Sequence, residues 1–117
     1  MEITVSRQDD CAIVRVQGTV VRDNQAELRE ELEETIAAGA RGIALDFHGV
    51  RYLDSSGMGC CVSVLKHLHD RCAGFIVVFG ASPDIEKIWR LIRLDLVIPL
   101  YPNEEAALGR LRAELAG

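Results

Sequence analysis

Apolar positions along the chain switch between two periods. Ile3 and Val5 alternate with polar neighbours over residues 2–7, which predicts a short strand at a sheet edge. Gln8-Asp9-Asp10 is a turn signal. Ala12, Val14 and Val16 then share one face of a second strand over residues 11–17, ended by Gly18. Two strands so closely joined make a hairpin. From Asp23 or Asn24, either of which can cap a helix, the step becomes three and four. Leu28, Leu32, Thr35 and Ile36 form the inward stripe of a helix to about residue 38, and Gly39 suits its C-terminal cap. The other faces carry Glu27, Glu30, Glu31, Glu33 and Glu34 and read as solvated. Arg29 is placed to pair with Glu33, for a few tenths of a kcal/mol.

Residues 43–47 read as a strand covered on both faces, with Asp46 as its polar exception, followed by a loop over residues 48–51. After Tyr52 the helical period returns. Met58, Cys61, Leu65, Leu68 and Cys72 give one stripe on a helix to about residue 71. Phe75–Phe79 is uninterrupted and apolar, as in a strand buried on both faces. Ser82-Pro83-Asp84 starts a short helix with Ile85, Ile88, Trp89 and Ile92 as its stripe. A last strand over residues 97–101, next to Pro99 and Pro102, suits a sheet edge. A final helix begins near Asn103 and Glu104 and turns Ala107, Leu108, Leu111 and Leu115 inward. The order ββαβαβαβα implies an α/β fold: a single domain over residues 1–117, with a mixed, mostly parallel sheet of about five strands and about four helices.

Composition narrows the function. A formal charge of −5 without a Lys/Arg cluster argues against nucleic acid as a partner. No apolar run approaches the roughly 20 residues of a membrane helix, so direct membrane insertion is not expected. The first residues, MEITVSRQDD, lack a charged-then-apolar signal region, and the expected location is cytoplasmic. Cys11, Cys60, Cys61 and Cys72 form no CxxC pair, and His48, His67 and His69 do not complete a zinc site with them. They read as buried thiols, with Cys61 in the stripe and Cys60 nearer solvent. A thiol redox or metal protein built on Cys60 and Cys61 is the competing class. Adjacent cysteines on a helix point about 100° apart and do not readily close a disulfide. Nothing in the sequence calls for a metal or a cofactor.

The chemistry concentrates at Asp54-Ser55-Ser56-Gly57, between a candidate strand and a candidate helix. Asp and Ser side chains there can accept hydrogen bonds from the first free N–H groups of the helix. A serine hydroxyl at that end is exposed and sits in the positive end of the helix dipole, a place to add or sense negative charge. Gly57 and Gly59 cost helix stability and are easier to justify if something approaches the first turn closely. By its residues alone, Ser-Ser-Gly before a helix also reads as a plain cap. Asp54 reads as a cap or loop organiser, because no nucleophile–base–orienter set surrounds it, and no catalytic residue is assigned.

The strand bearing Asp46, the Leu53-Asp54-Ser55-Ser56-Gly57-Met58-Gly59 segment, the apolar strand at residues 75–79, the Ser82-Pro83 helix start and the closing Tyr101-Pro102-Asn103-Glu104-Glu105 together resemble the STAS domain family. Within it they resemble the bacterial anti-sigma factor antagonists, over nearly the whole chain. The resemblance implies a non-enzymatic switch. An antagonist binds an anti-sigma factor that is itself a serine kinase and so frees a sigma factor. The kinase phosphorylates a serine of the Asp-Ser-Ser-Gly segment, the modified antagonist no longer binds, and a phosphatase resets it. By position the phosphoacceptor carries over to Ser56. The implied partner-binding residues are Asp23, Asp54, Ser55, Ser56, Gly57, Met58 and Gly59. Phosphate adds about −1.5 to −2 charges. The helix N–H groups partly stabilise it and Asp54 opposes it, which predicts lost partner affinity without a large structural change. One departure stands out. The family commonly carries an aspartate three residues after the glycine that follows the second strand, where this chain has Val21; Asp23 could substitute. The alternative within the fold is an adaptor subunit of a lipid-transport ABC complex or a signalling assembly. Trp89, Leu91 and Leu94 would then be a docking patch, against a core role for Trp89.

Overall fold

The expected element order is present in the computed structural model, which describes residues 1–116. The strands are β1 (Glu2–Gln8), β2 (Cys11–Val20), β3 (Gly42–Leu53), β4 (Phe75–Phe79) and β5 (Leu100–Tyr101). The helices are α1 (Gln25–Ala37), α2 (Ser55–Cys72), α3 (Pro83–Leu91) and α4 (Glu104–Ala116), with a 3-10 turn at Leu94–Leu96. The strands make one sheet in the spatial order β1-β2-β3-β4-β5. β1 is antiparallel to β2, and every later pair is parallel.

Alternation along the central strands sorts the core into two layers. Val14 and Val16 of β2, Leu45 of β3 and Val78 of β4 pack with Leu28 and Leu32 of α1, Cys61 and Val64 of α2, and Trp89 of α3. On the reverse face Ile13, Ala44, Val77 and Phe79 pack under Ala107, Leu108 and Leu111 of α4. A strand between two such layers has no polar side, which is why residues 75–79 read as an unbroken apolar run. Trp89 is fully buried. Its indole N–H donates to the Ile98 carbonyl at 2.9 Å, and its ring meets Phe47 edge-on with centroids 6.0 Å apart. It is a core residue and no docking contact.

Several boundaries differ from the sequence expectation. β2 does not end at Gly18; that residue takes φ +105° and lets the strand bend and continue to Val20. Residues 48–51 are not a loop, because β3 extends through them and pairs Gly49 with Gln17 and Val50 with Gly18. His48, Arg51 and Tyr52 are exposed on this extension, and their polarity hid the strand. On α2 the buried stripe is rotated. Cys60 is as buried as Cys61, and Met58, Leu65 and Cys72 are only half-buried. The neighbour is α1, whose Gln25 carbonyl lies 3.8 Å from Cys60 Sγ. Arg29 donates to Ser63 Oγ at 2.7 Å and to Gln25 Oε1 at 3.3 Å, instead of pairing with Glu33. On α3 only Ile85 and Trp89 are buried, and Ile88 and Ile92 face outward. Of residues 97–101 only Leu100 and Tyr101 pair with β4.

Candidate functional site

The first turn of α2 is built by Asp54. β3 delivers the chain to this residue in extended conformation, and its own N–H donates to the Val20 carbonyl at 3.1 Å. Its Oδ1 accepts the N–H groups of Ser56 at 2.9 Å and Gly57 at 3.1 Å. This is N-capping in the expected sense. Oδ2 accepts the N–H of Arg22 at 3.2 Å, a bond with no signature in the sequence. One carboxylate therefore closes the helix start and ties the β2–α1 loop to it.

That loop holds Asp23, which is exposed. The structure thus brings Asp23, Asp54, Ser55 and Ser56 to one end of the molecule, on two adjoining segments. Asn24 does not cap α1 with its side chain. It braces the loop instead: Oδ1 accepts the Val21 N–H at 2.9 Å, and Nδ2 donates to the Thr19 carbonyl at 2.9 Å. Val21 starts α1 through its carbonyl, which accepts from Asn24 N at 3.1 Å and Gln25 N at 2.8 Å. The half-buried valine side chain stands where the resemblance would place an acid.

Ser55 is exposed, Ser56 is half-buried, and Met58 is half-buried. The two glycines of the turn serve different ends. Gly57 is buried, and a Cβ there would collide with Leu53 Cδ1 and lie 3.0 Å from Val20 Cγ1. Its missing side chain lets α2 pack onto the strands, not an enzyme onto the serine. Gly59 is exposed and a Cβ there would meet nothing within 4 Å. It forms part of the wall of an open groove of about 530 Å³, with Ser55, Met58 and Val62 on one side and Ile92 and Val97 on the other. The sequence reading missed this groove. Ile92, seven residues after Ile85, reads as part of the buried stripe, and its outward position follows from the end of α3 at Leu91 and the left-handed turn at Arg93.

Asp46 lies elsewhere, on the α4 side of the sheet. Arg15 Nη1 donates to its Oδ2 at 2.8 Å while Nη2 donates to Glu104 Oε1 at 2.9 Å. The His48 N–H donates to Oδ1 at 3.0 Å, and the His48 ring Nδ1 sits 2.8 Å from the same oxygen. Burial pushes the Asp46 carboxyl up, but the His48 N–H, the Arg15 guanidinium and the His48 ring outweigh it and hold it below the usual carboxylate range. Asp46 is not at a strand end but inside β3, where it holds Arg15, and through Arg15 it ties Glu104 of α4 to the sheet. Burial pushes the Cys61 thiol up to about 12 and raises Cys60 as well, so neither has the character of a reactive thiolate. Among the described residues no group of three or more His, Cys, Asp or Glu could hold a metal ion. Among them, too, no helix is long and apolar enough to cross a membrane.

The fold and the family of the chain are shown by comparison with known proteins. The chain is 25% identical over 115 residues to a putative anti-sigma factor antagonist, BtrV, of Bordetella bronchiseptica, covering 98% of each chain. Its fold is similar to a solved anti-sigma factor antagonist from Mycobacterium paratuberculosis, with a TM-score of 0.84, 23% identity, and 95% of this chain and 93% of that one covered. It is also similar to the Bacillus cell fate determinant SpoIIAA in its phosphorylated form, with a TM-score of 0.71, 22% identity, and coverage of 93% and 98%. The family model described as STAS domain matches residues 2–107, and the chain belongs to that family.

Proposed function

We propose that this STAS domain is an anti-sigma factor antagonist: a regulatory binding protein, not an enzyme, switched by phosphorylation of Ser56. The observation that carries the reading is the Asp54-organised end of the molecule, where Ser55 and Ser56 open α2 beside the loop that holds Asp23. The relatives named as antagonists, and the existence of a phosphorylated SpoIIAA, support it. The partner is an anti-sigma factor with serine kinase activity, a phosphatase reverses the mark, and the setting is the cytoplasm. Asp23, Asp54, Ser55, Gly59 and Met58 form the binding surface around Ser56, with Gly57 supporting it from below.

In the switch, the Ser56 hydroxyl oxygen attacks the γ-phosphorus of the kinase's ATP. Its proton passes to a base of the kinase, and ADP leaves. The product carries about −1.5 to −2 charges in the middle of the surface on which the partner had docked. The Ser56 and Gly57 N–H groups are already held by the Asp54 carboxylate. The phosphate therefore gains little from the helix start and faces Asp54 as a like charge. Its energetic cost falls on the bound complex, and the fold of the antagonist is kept.

The test is to incubate the purified protein with ATP and lysate of its source organism and map modified peptides by mass spectrometry. Phosphate on Ser56, absent in Ser56→Ala, is the expected result. Phosphate confined to Ser55 or Ser63 would move the switch. No phosphate at all, with a stable partner retained, would replace the switch by an adaptor role.

A further inference from the structure

We infer that the outward face of α3, continued into the groove beside α2, is the docking surface for an amphipathic helix of the binding partner whose apolar face is edged with carboxylates. The inference deepens the antagonist reading and rests on it for the existence of a partner. Seven large apolar side chains are exposed among the described residues, and five of them, Ile88, Leu91, Ile92, Leu96 and Val97, fall within one ten-residue stretch. Leu91 is 76% exposed and Leu96 is 70% exposed. The other two, Tyr52 and Val62, line the grooves on the two sides of this stretch. Apolar surface gathered in this way, not scattered singly, marks an interaction site.

The fold does not need these side chains. Ile85, Trp89, Leu94 and Ile98 already fasten the stretch to the core. Arg93 between them holds φ +65°, a left-handed conformation that costs a non-glycine residue energy and turns the chain so that Leu94 points in while Ile92 and Leu96 point out. The result is two troughs, one of about 430 Å³ and one of about 530 Å³. Apolar troughs on a firm scaffold suit a helix laid down on its apolar face. Gly59 in the wall of the second leaves room for a partner backbone.

Charge selects the kind of helix. The chain has a formal charge of −5, yet the linings of the two troughs carry Arg51, Lys87 and Arg93 against one carboxylate, Asp84. Arg90 on the same helix is already paired with Glu86 at 3.1 Å. Carboxylates at the edges of the incoming helix complete this pattern. A second copy of the chain does not supply such a helix. α1 has the acids, but its apolar residues Leu28, Leu32 and Ile36 are buried in its own core.

The probe is a synthetic helical peptide with a leucine stripe flanked by glutamates, with a control that has the same stripe flanked by lysines. Each is titrated into the isotope-labelled full chain and followed by amide NMR. The glutamate peptide is expected to move the amides of Ile88, Leu91, Ile92, Leu96 and Val97, and to bind about tenfold or more tightly than the lysine peptide. Leu91→Ser with Leu96→Ser is expected to abolish the shifts while the fluorescence of buried Trp89 stays native. No binding of the glutamate peptide, or equal binding of both, overturns the proposal. So does a concentration-dependent dimer in sedimentation that the double substitution dissolves, which would seat a second copy there. The Ser56 phosphate is read separately. Peptide binding with no phosphate on Ser56 sinks the switch alone, and phosphate on Ser56 with no peptide binding sinks the docking surface alone.

Discussion

Leu53 fills the space that a side chain on Gly57 would need, so the last residue of β3 and the third residue of α2 are fitted to each other. Gly59, two residues on, faces open space. The two glycines therefore respond to alanine with opposite signs. Gly57→Ala is expected to cost about 1–3 kcal/mol through overpacking. Gly59→Ala is expected to gain about 0.5–1 kcal/mol through helix propensity. Urea unfolding of both variants checks this, and shifts in the same direction would refute the packing argument.

Asp54→Ala removes the acceptor for three N–H groups, those of Arg22, Ser56 and Gly57. A lost cap costs about 1–2 kcal/mol. Asp54→Asn retains one carbonyl oxygen and is expected to lose less. The diagnostic is amide hydrogen exchange. In Asp54→Ala the Arg22 amide should exchange faster together with those of Ser56 and Gly57, and an unchanged Arg22 would mean the loop is held by other bonds.

Asp46 sets the acid limb of stability. Its folded carboxyl is held below the usual range, mainly against burial, by the His48 N–H and Arg15. The unfolded chain then binds its proton at higher pH than the folded one. The stabilisation is complete above about pH 4 and is lost as pH falls through the folded value. Thermal melts taken downward from neutral pH should show this loss, and Asp46→Asn should flatten it.

Cys61 sets part of the alkaline limb. Burial holds its thiol up at about 12. An unfolded thiol ionises near about 8.5, so this contribution is intact below that pH and declines above it, until the folded thiol also ionises. At about pH 8 a thiol reagent should label half-buried Cys72 first and leave Cys60 and Cys61 untouched until the protein unfolds. Rapid native labelling of Cys60 would mean that α1 opens away from α2.

The period of a segment was readable where its buried side chains keep a regular step. Leu28, Leu32, Thr35 and Ile36 recur at three and four, and that spacing alone placed the buried face of α1. The Ser82 cap and Pro83 likewise fixed the start of α3, because the signal is local: the Ser82 hydroxyl accepts the Ile85 N–H at 3.3 Å. What stayed hidden depends on partners far along the chain. Cys60 is buried because α1 lies over it, at a sequence distance of 35 residues. The second half of β3 is a strand because β2 bends at Gly18 to stay beside it. In the candidate site, Asp54 as a cap was legible from its position before Ser-Ser-Gly. Its grip on Arg22 was not, since a backbone N–H carries no sequence signature. The outward turn of Ile92, Leu96 and Val97 was lost for the same reason, being decided by the backbone at Arg93.

The spatial order of the sheet repeats the order of the chain. During synthesis each strand would find its neighbour already in place, and the layer closed by α1, α2 and α3 can settle while the rest is still being made. The reverse face waits longer. Ala44, Val77 and Phe79 have no cover until the thirteen residues of α4 emerge. A nascent chain halted before that helix would be adhesive on one side, and α4 is the segment that ends this exposure to chaperones and aggregation.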